Sequence, residues 1–467
     1  MAIDRIEVAE ESRAPPAAEG NLILPKAPTT IAQTGLSPLF LMDLAIKIIH
    51  YAESPTAEHV SRVIGLPTRL INEILQMLKA DRVCEVIGSN SYEMASEFRY
   101  RLSERGERRA EQALDRCRYA GPAPVTVASY ESVISETDSG NWRPSLELAR
   151  QSFESLILDD NVKDFLERAL CSGRSTMIFG PSGNGKTHLL SEFIRHMDGE
   201  VLIPHAIYAH GQIVRMYDPS LHVQVDGLPP AGPPGDLPSS VPGREDFRDQ
   251  RWLKIKRPGI IVGGEVTAES LELGYDPVTR FYQAPKHLKA LGGILVVDDF
   301  GRQRVSPVEL LNRWIMALER GRDNLVLRTG ESIEIPFHLT LFFSTNLHPA
   351  ELADSAYLRR IPYKVSIPAT NPTQFEDILR KVCREFHLSF TEQELQKVIS
   401  YIEATCGEKL SGSLARDLIS ILIENARHEG HTPSLTVPNV ALAYKQFTGT
   451  DDEEDEDALE GDVPDGE

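Results

Sequence analysis

The sequence predicts an α/β fold: a parallel-sheet core built around a phosphate-binding loop, preceded by a small helix-turn-helix domain and followed by an all-helical segment. Three observations carry this. A short strand, Ser175-Thr176-Met177-Ile178-Phe179, runs directly into a glycine-rich loop that opens a helix. Ile294 to Val297 is an apolar run too short for a typical helix, and Leu339 to Phe343 makes a similar one; both read as buried parallel strands covered by helices on both faces. From Pro372 the strand patterns stop, and residues 373–386, 391–405, 413–428 and 437–447 read as four helices.

The first 35 residues mix Glu, Ala, Pro and Thr without a sustained period and read as a disordered leader. Ser37 is then a suitable N-cap and Pro38 a suitable first helical residue, with Leu39, Leu41, Leu44, Ala45, Ile48 and Ile49 near helical spacing. Thr56 caps a second helix ending near Ile64, Gly65-Leu66-Pro67 makes a corner, and residues 68–80 form a third helix with Leu70, Ile74, Leu75 and Leu78 inward. Residues 83–87 and 98–102 read as two strands around a turn at Gly88-Ser89-Asn90-Ser91, with a helix over about 103–118 after them. That order is a winged helix, expected over 36–120. Gly121-Pro122-Ala123-Pro124 then opens a linker over 121–150.

An α/β core is expected over 151–368, led in by a helical segment over 153–170. It carries an insertion at about 208–258 whose loop, residues 227–243, has 10 Gly or Pro among 17 residues. Residues 213–217 and 252–256 are expected to pair as a β-ribbon there, with 260–262 extending it. A helical lid follows over 369–450, and 451–467 form an acidic, disordered tail.

The 467 residues, 41% hydrophobic and 25% charged, suffice for two or three globular domains. Of the formal charge of −20, 11 acids with no base lie in residues 451–467, leaving −9 for the rest. This disfavours a generally basic nucleic-acid binder. The five cysteines show no CxxC or zinc spacing and fit a reducing cytosol, so a cytoplasmic protein is expected. No run approaches the roughly 20 apolar residues that span a bilayer, and membrane insertion is not expected.

The chemistry begins at Gly180-Pro181-Ser182-Gly183-Asn184-Gly185-Lys186-Thr187, which satisfies GxxxxGK[ST] between a strand and a helix. Glycines let the backbone wrap around phosphate with its N–H groups inward, and the helix N-terminus adds partial positive charge. These residues and His188 after them form the expected nucleotide-binding set. Lys186 should meet the β- and γ-phosphates, and the Thr187 hydroxyl should ligate Mg²⁺. The strand of residues 294–297 ends in Asp298, placed to reach the Mg²⁺ shell, and Asp299, placed to polarise the attacking water. The second acid is more often Glu, so slow hydrolysis or a switching role stays open.

With these two motifs in place the chain resembles the AAA+ ATPases over roughly residues 150–450. The resemblance implies ATP and Mg²⁺ as ligands. Ser344-Thr345-Asn346 is similar to the strand end carrying the sensor 1 polar residue, which makes Asn346 the residue that orients water. Ala356-Tyr357-Leu358-Arg359-Arg360-Ile361 resembles the segment that presents an arginine finger to a neighbouring subunit; either Arg359 or Arg360 fits. Gly412-Ser413-Leu414-Ala415-Arg416-Asp417 resembles the sensor 2 helix, with Arg416 reaching the γ-phosphate from the lid. Gly301-Arg302-Gln303-Arg304 and Tyr357 to Pro362 are similar to bacterial AAA+ proteins with an N-terminal winged helix, where Arg302 and Arg304 would couple the nucleotide to a neighbour or a central pore.

The first functional reading is a homo-oligomeric ring, such as a hexamer, whose ATP hydrolysis remodels a protein client or assembly. The winged helix is balanced, with 12 basic and 12 acidic residues over 38–118, which favours protein docking. Arg69, Asn72, Gln76 and Lys79 on its third helix, and Arg99, Arg101, Arg105, Arg108 and Arg109 on the wing and last helix, keep a DNA-binding regulator or loader as the alternative. A nucleotide-gated scaffold with little turnover is the third reading.

Overall fold

The computed structural model describes residues 22, 24–87, 98–137, 142–225, 248–406 and 410–449. Most of the expected leader (residues 1–21 and 23), the turn at 88–91, the Pro/Gly loop 227–243 and the acidic tail 451–467 lie outside the described residues. Contacts divide the chain into two compact units. One joins residues 1–137 with 200–256 and 277–281; the other joins 138–199 with 257–276 and 282–467.

In the first unit three helices, Pro38–Ala52, Ala57–Ile64 and Thr68–Ala80, precede an antiparallel pair, Cys84–Ile87 with Arg99–Leu102, and a helix Glu104–Arg116. Local chemistry sets the helix starts: Ser37, Thr56 and Ser103 each accept a hydrogen bond from the N–H three residues on, satisfying a donor the helix leaves free. Leu41, Leu44, Ile48, Ile64, Ile74, Leu75 and Leu78 form the shared core.

The expected linker is structured. Ala123 donates its N–H to the Ile64 carbonyl, Val125–Thr126 pairs in parallel with Ala206–Ala209, and Val127–Glu136 is a helix capped by Thr126. The preceding helix ends at Arg116, before Gly121, and with Ala123 and Val125 buried, tertiary packing orders the segment.

The expected β-ribbon is not formed. Gln212–Arg215 turns back on Ala206–Ala209 through His210 and Gly211, whose φ of 47° and 75° fit a two-residue hairpin turn. Trp252–Lys256 instead pairs antiparallel with Glu200–Pro204. Trp252 stacks on Tyr130 with ring centroids 6.0 Å apart, and the buried Arg251 forms a bidentate pair with Asp249 while donating to the Thr34 carbonyl. Described leader residues thus belong to this unit's interior, with Pro28 and Thr34 buried.

The second unit holds a five-stranded sheet: β1 (Thr176–Phe179), β2 (Gly259–Val262), β3 (Ile294–Val297), β4 (Thr340–Thr345) and β5 (Tyr363–Ser366), in spatial order β5-β1-β4-β3-β2 with every pair parallel. Residues 260–262 therefore extend this sheet and not the ribbon. Helices Leu146–Glu154, Asp160–Cys171 and Lys186–His196 bury Phe153, Leu166, Leu189 and Phe193 with Ile178, Ile294, Val296 and Phe342 of the sheet. The helix expected over 153–170 is broken: Ser155 to Asp159 leave the helical path, and Asp159 takes the N-cap position of the next helix. An unforeseen hairpin, Arg322–Val326 with Ser332–Pro336, precedes β4. Four helices close the chain, Pro372–Glu385, Glu392–Cys406, Gly412–Glu429 and Val437–Thr448, around Phe375, Leu379, Leu395, Leu418 and Leu422.

Candidate functional site

All of the site residues expected from sequence belong to the second unit. The loop Gly180 to Thr187 leaves β1 and enters helix Lys186–His196. Gly180 has φ 147°, and a Cβ there would lie 2.0 Å from the Ile367 carbonyl oxygen, so only glycine fits. Asn184 Nδ2 donates to the Pro368 carbonyl at 3.0 Å, and its Oδ1 accepts from Thr370 at 3.1 Å, tying the loop to the segment after β5. Lys186 Nζ donates to the Gly180 and Pro181 carbonyls at 3.0 and 2.8 Å. Burial pushes its pKa down, and the charges of Asp298 and Asp299 act in the opposite direction.

The acids at the end of β3 face this loop. Thr187 Oγ1 donates to Asp298 with both carboxylate oxygens at 3.0 Å, joining residues 111 positions apart. Asn346, just beyond β4, donates from Nδ2 to Asp299 Oδ1 at 3.2 Å. Asp299 has φ 49°, an uncommon region for a residue with a side chain. Hard oxygen donors from a hydroxyl and a carboxylate suit Mg²⁺, which usually takes one or two carboxylates and completes its shell with phosphate and water. Among the described residues no group of three His, Cys, Asp or Glu side chains could hold a metal by itself. The Thr187 hydroxyl and the Asp298 carboxylate fit a cation that also binds phosphate.

A cavity of about 920 Å³ spans the loop, Asp299, Asn346 and the C-terminal helices. One part is apolar, lined by Leu156, Ile157, Leu158, Ile367, Pro368 and Ile378. Sequence reading missed this part because it takes 153–170 as one helix. The apolar triplet Leu156-Ile157-Leu158 followed by Asp159-Asp160, a capping signal, marks the break. His188 shares a 3.2 Å hydrogen bond with Ser155 at the same wall. Ser413, at the start of helix Gly412–Glu429, donates its N–H to the Gly183 carbonyl at 3.0 Å, which seats that helix on the loop.

Arg416 lines the cavity one turn further on and pairs with Glu385, with its guanidinium 5.8 Å over the Phe386 ring. Arg359 and Arg360 are not brought into the cavity. Arg360 is held within its own segment, paired with Glu319 at 2.7 Å and donating to the Ala356 carbonyl. Arg359 is exposed, and its side chain has no hydrogen bond or ion pair among the described residues. Arg302 and Arg304 are exposed on the loop after Asp299.

In the first unit the expected basic cluster is largely spent on internal pairs. Arg109 meets Asp43 at 3.2 Å and Asp81 at 3.6 Å, Arg116 meets Asp43 at 2.7 Å, Arg108 pairs with Glu104, and Arg99 donates to the Ser54 carbonyl. Arg101 and Arg105 stay exposed, as do Arg69, Asn72, Gln76 and Lys79.

No helix among the described residues is long and apolar enough to cross a membrane. Residues 371–446, within the C-terminal helices, match a family model described as a domain of unknown function (DUF8689). No curated protein sequence matches the chain. Solved structures similar to it include NtrX from Brucella abortus in complex with ADP, at 13% identity and a TM-score of 0.40, covering 77% of this chain and 70% of that one. The RuvB Holliday junction branch migration motor of Thermotoga maritima is similar at 12% identity and a TM-score of 0.36, covering 64% and 72%.

Proposed function

We propose that this chain is an AAA+ protein that binds and hydrolyses ATP and uses the cycle to remodel a protein partner. The observation that carries the reading is the convergence of Lys186, Thr187, Asp299 and Asn346, from three separate strand ends, on one cavity beside the glycine-rich loop, with Asp298 held against Thr187. Loop N–H groups and Lys186 bind the phosphates, and Thr187 with Asp298 would hold Mg²⁺, which would offset charge on the transferred group. Asp299 takes the proton of the attacking water, and Asn346 keeps the carboxylate aimed. The water oxygen bonds to the γ-phosphorus as the bond to the β–γ bridging oxygen breaks. Leu156, Ile157, Leu158 and Ile367 give the base an apolar slot. Arg416 leaves Glu385 to meet the γ-phosphate, and Arg359 serves a neighbouring subunit's nucleotide in a homo-oligomeric ring.

The first unit, with its helical order and two-stranded ribbon, is the docking domain in this reading, a winged helix that selects a client. Pairing of Arg108, Arg109 and Arg116 with acids favours protein docking over a DNA-controlled loader, because few arginines are left for phosphates. Two sets of measurements test the reading. Lys186→Ala and Asp298→Asn are each expected to abolish Mg²⁺-dependent ATP turnover; unchanged turnover in both overturns the site. Duplex DNA that binds the wild type at low salt, with Arg101→Glu and Arg105→Glu removing the binding, would replace protein docking with the loader.

A further inference from the structure

We infer that Gln303 is a positioning residue for Asp299, a role that rests on the reading of Asp299 as the residue that takes a proton from water. Asp is one methylene shorter than the Glu commonly used there, so its backbone must bring the carboxylate to the water. Asp299 does sit in a left-handed conformation, φ 49°, from which its carboxylate reaches Asn346 at 3.2 Å. Asp visits that region more readily than most residues with a Cβ, and hydrogen bonds from its surroundings offset the remaining cost.

The holding groups can be named. On the sheet side, Phe300 donates its N–H to the Ser344 carbonyl at 2.7 Å, and Thr345 Oγ1 donates to the Phe300 carbonyl at 2.6 Å. On the other side the Arg302 N–H donates to the Asp299 carbonyl at 2.9 Å, and one side-chain amide joins it. Gln303 Nε2 donates to the carbonyls of both Asp298 and Asp299, at 2.8 and 3.1 Å, and Gln303 Oε1 accepts from the Gly301 N–H at 2.8 Å. Gly301 has φ 106°, a region that favours glycine, and a Cβ there would come within 2.7 Å of the Leu352 side chain. Gln303 thus clasps the peptide units on either side of Asp299 without entering the cavity itself. Its neighbours Arg302 and Arg304 point to solvent and leave this amide as the side chain that locks the turn.

The test uses full-length wild type, Gln303→Met, Gln303→Glu and Asp299→Asn. Methionine keeps the length and loses all three hydrogen bonds; glutamate keeps an acceptor for Gly301 and loses the donor to both carbonyls. Because a misplacement of about 1 Å can cost roughly 100-fold in rate, kcat is expected to fall roughly 10- to 100-fold in Gln303→Met, and comparably in Gln303→Glu. KM for ATP, ADP affinity and thermal midpoint should stay near wild type. An unchanged kcat in Gln303→Met, or a loss of ADP affinity and thermal midpoint in step with kcat, overturns the positioning role. Wild-type turnover that does not depend on Asp299 overturns the site reading itself, and the role of Gln303 with it.

Discussion

At the scale of single residues, the site is built from short polar contacts that span long stretches of chain. Thr187 to Asp298 and Asn346 to Asp299 are the two that matter most, since each ties a group on one strand end to a group on another. Asn346→Ala is expected to lower kcat by about 100-fold or more with little change in nucleotide affinity, because it removes the aim of Asp299 and leaves the phosphate contacts intact. Steady-state kinetics beside ADP titration checks this. Lys186 supplies a pH dependence. Burial lowers its pKa from the ordinary 10.5, and bound phosphate favours the ammonium, so nucleotide affinity should decline as pH rises through the range below 10.5. Calorimetric titration across that range reads it, and a flat profile contradicts it. Residue identity was legible here because the motifs are contiguous in sequence. The aim of Asp299 was not, since it depends on a backbone angle and on Gln303, which sequence presents only as one letter of a loop.

At the scale of elements, legibility follows local signals. Helices with a capping residue and a periodic apolar face fall where the pattern puts them, as in Pro38–Ala52 and Gly412–Glu429. Elements decided by distant partners do not. Val125–Thr126 is a strand only because Ala206–Ala209 lies beside it, and the ribbon partners of Trp252–Lys256 and Gln212–Arg215 were set by the His210-Gly211 turn. Arg251 and Asp249 are both at least 96% buried and pair bidentately. Arg251→Ala leaves an uncompensated buried carboxylate and should cost about 3–5 kcal/mol in the first unit. Arg109 is less buried, and Arg109→Ala should cost about 1–3 kcal/mol by leaving Asp43 with only the exposed Arg116. Chemical denaturation distinguishes the two, and equal or negligible losses would contradict the burial argument.

At the scale of the whole molecule, the chain passes between its two units five times, so neither unit is a continuous segment. A fragment of residues 1–137 lacks Ala206, Ile213 and Phe281, which share the core of its helices, and lacks the partners of Tyr130 and Val125. It should show no cooperative unfolding transition, whereas the full chain should; a sharp transition in the fragment would contradict the composite unit. Assembly is a proposal at this scale too. With Arg360 held by Glu319 and Arg359 exposed, Arg359→Ala is the variant expected to restore turnover when mixed with Asp299→Asn, because mixed rings contain sites with an intact acid and an intact trans arginine. No restoration on mixing would argue for sites complete within one subunit.

In the proposed reading Asp299 acts on water in a site formed by the glycine-rich loop and the strand ends. The most direct test is ATP turnover by the wild type and by Asp299→Asn, measured with Mg²⁺ beside ADP binding. Turnover in the wild type that drops by about 100-fold or more in the variant while ADP still binds is the predicted result. Equal turnover in the two proteins, or tight ADP binding with no turnover in either, would contradict it.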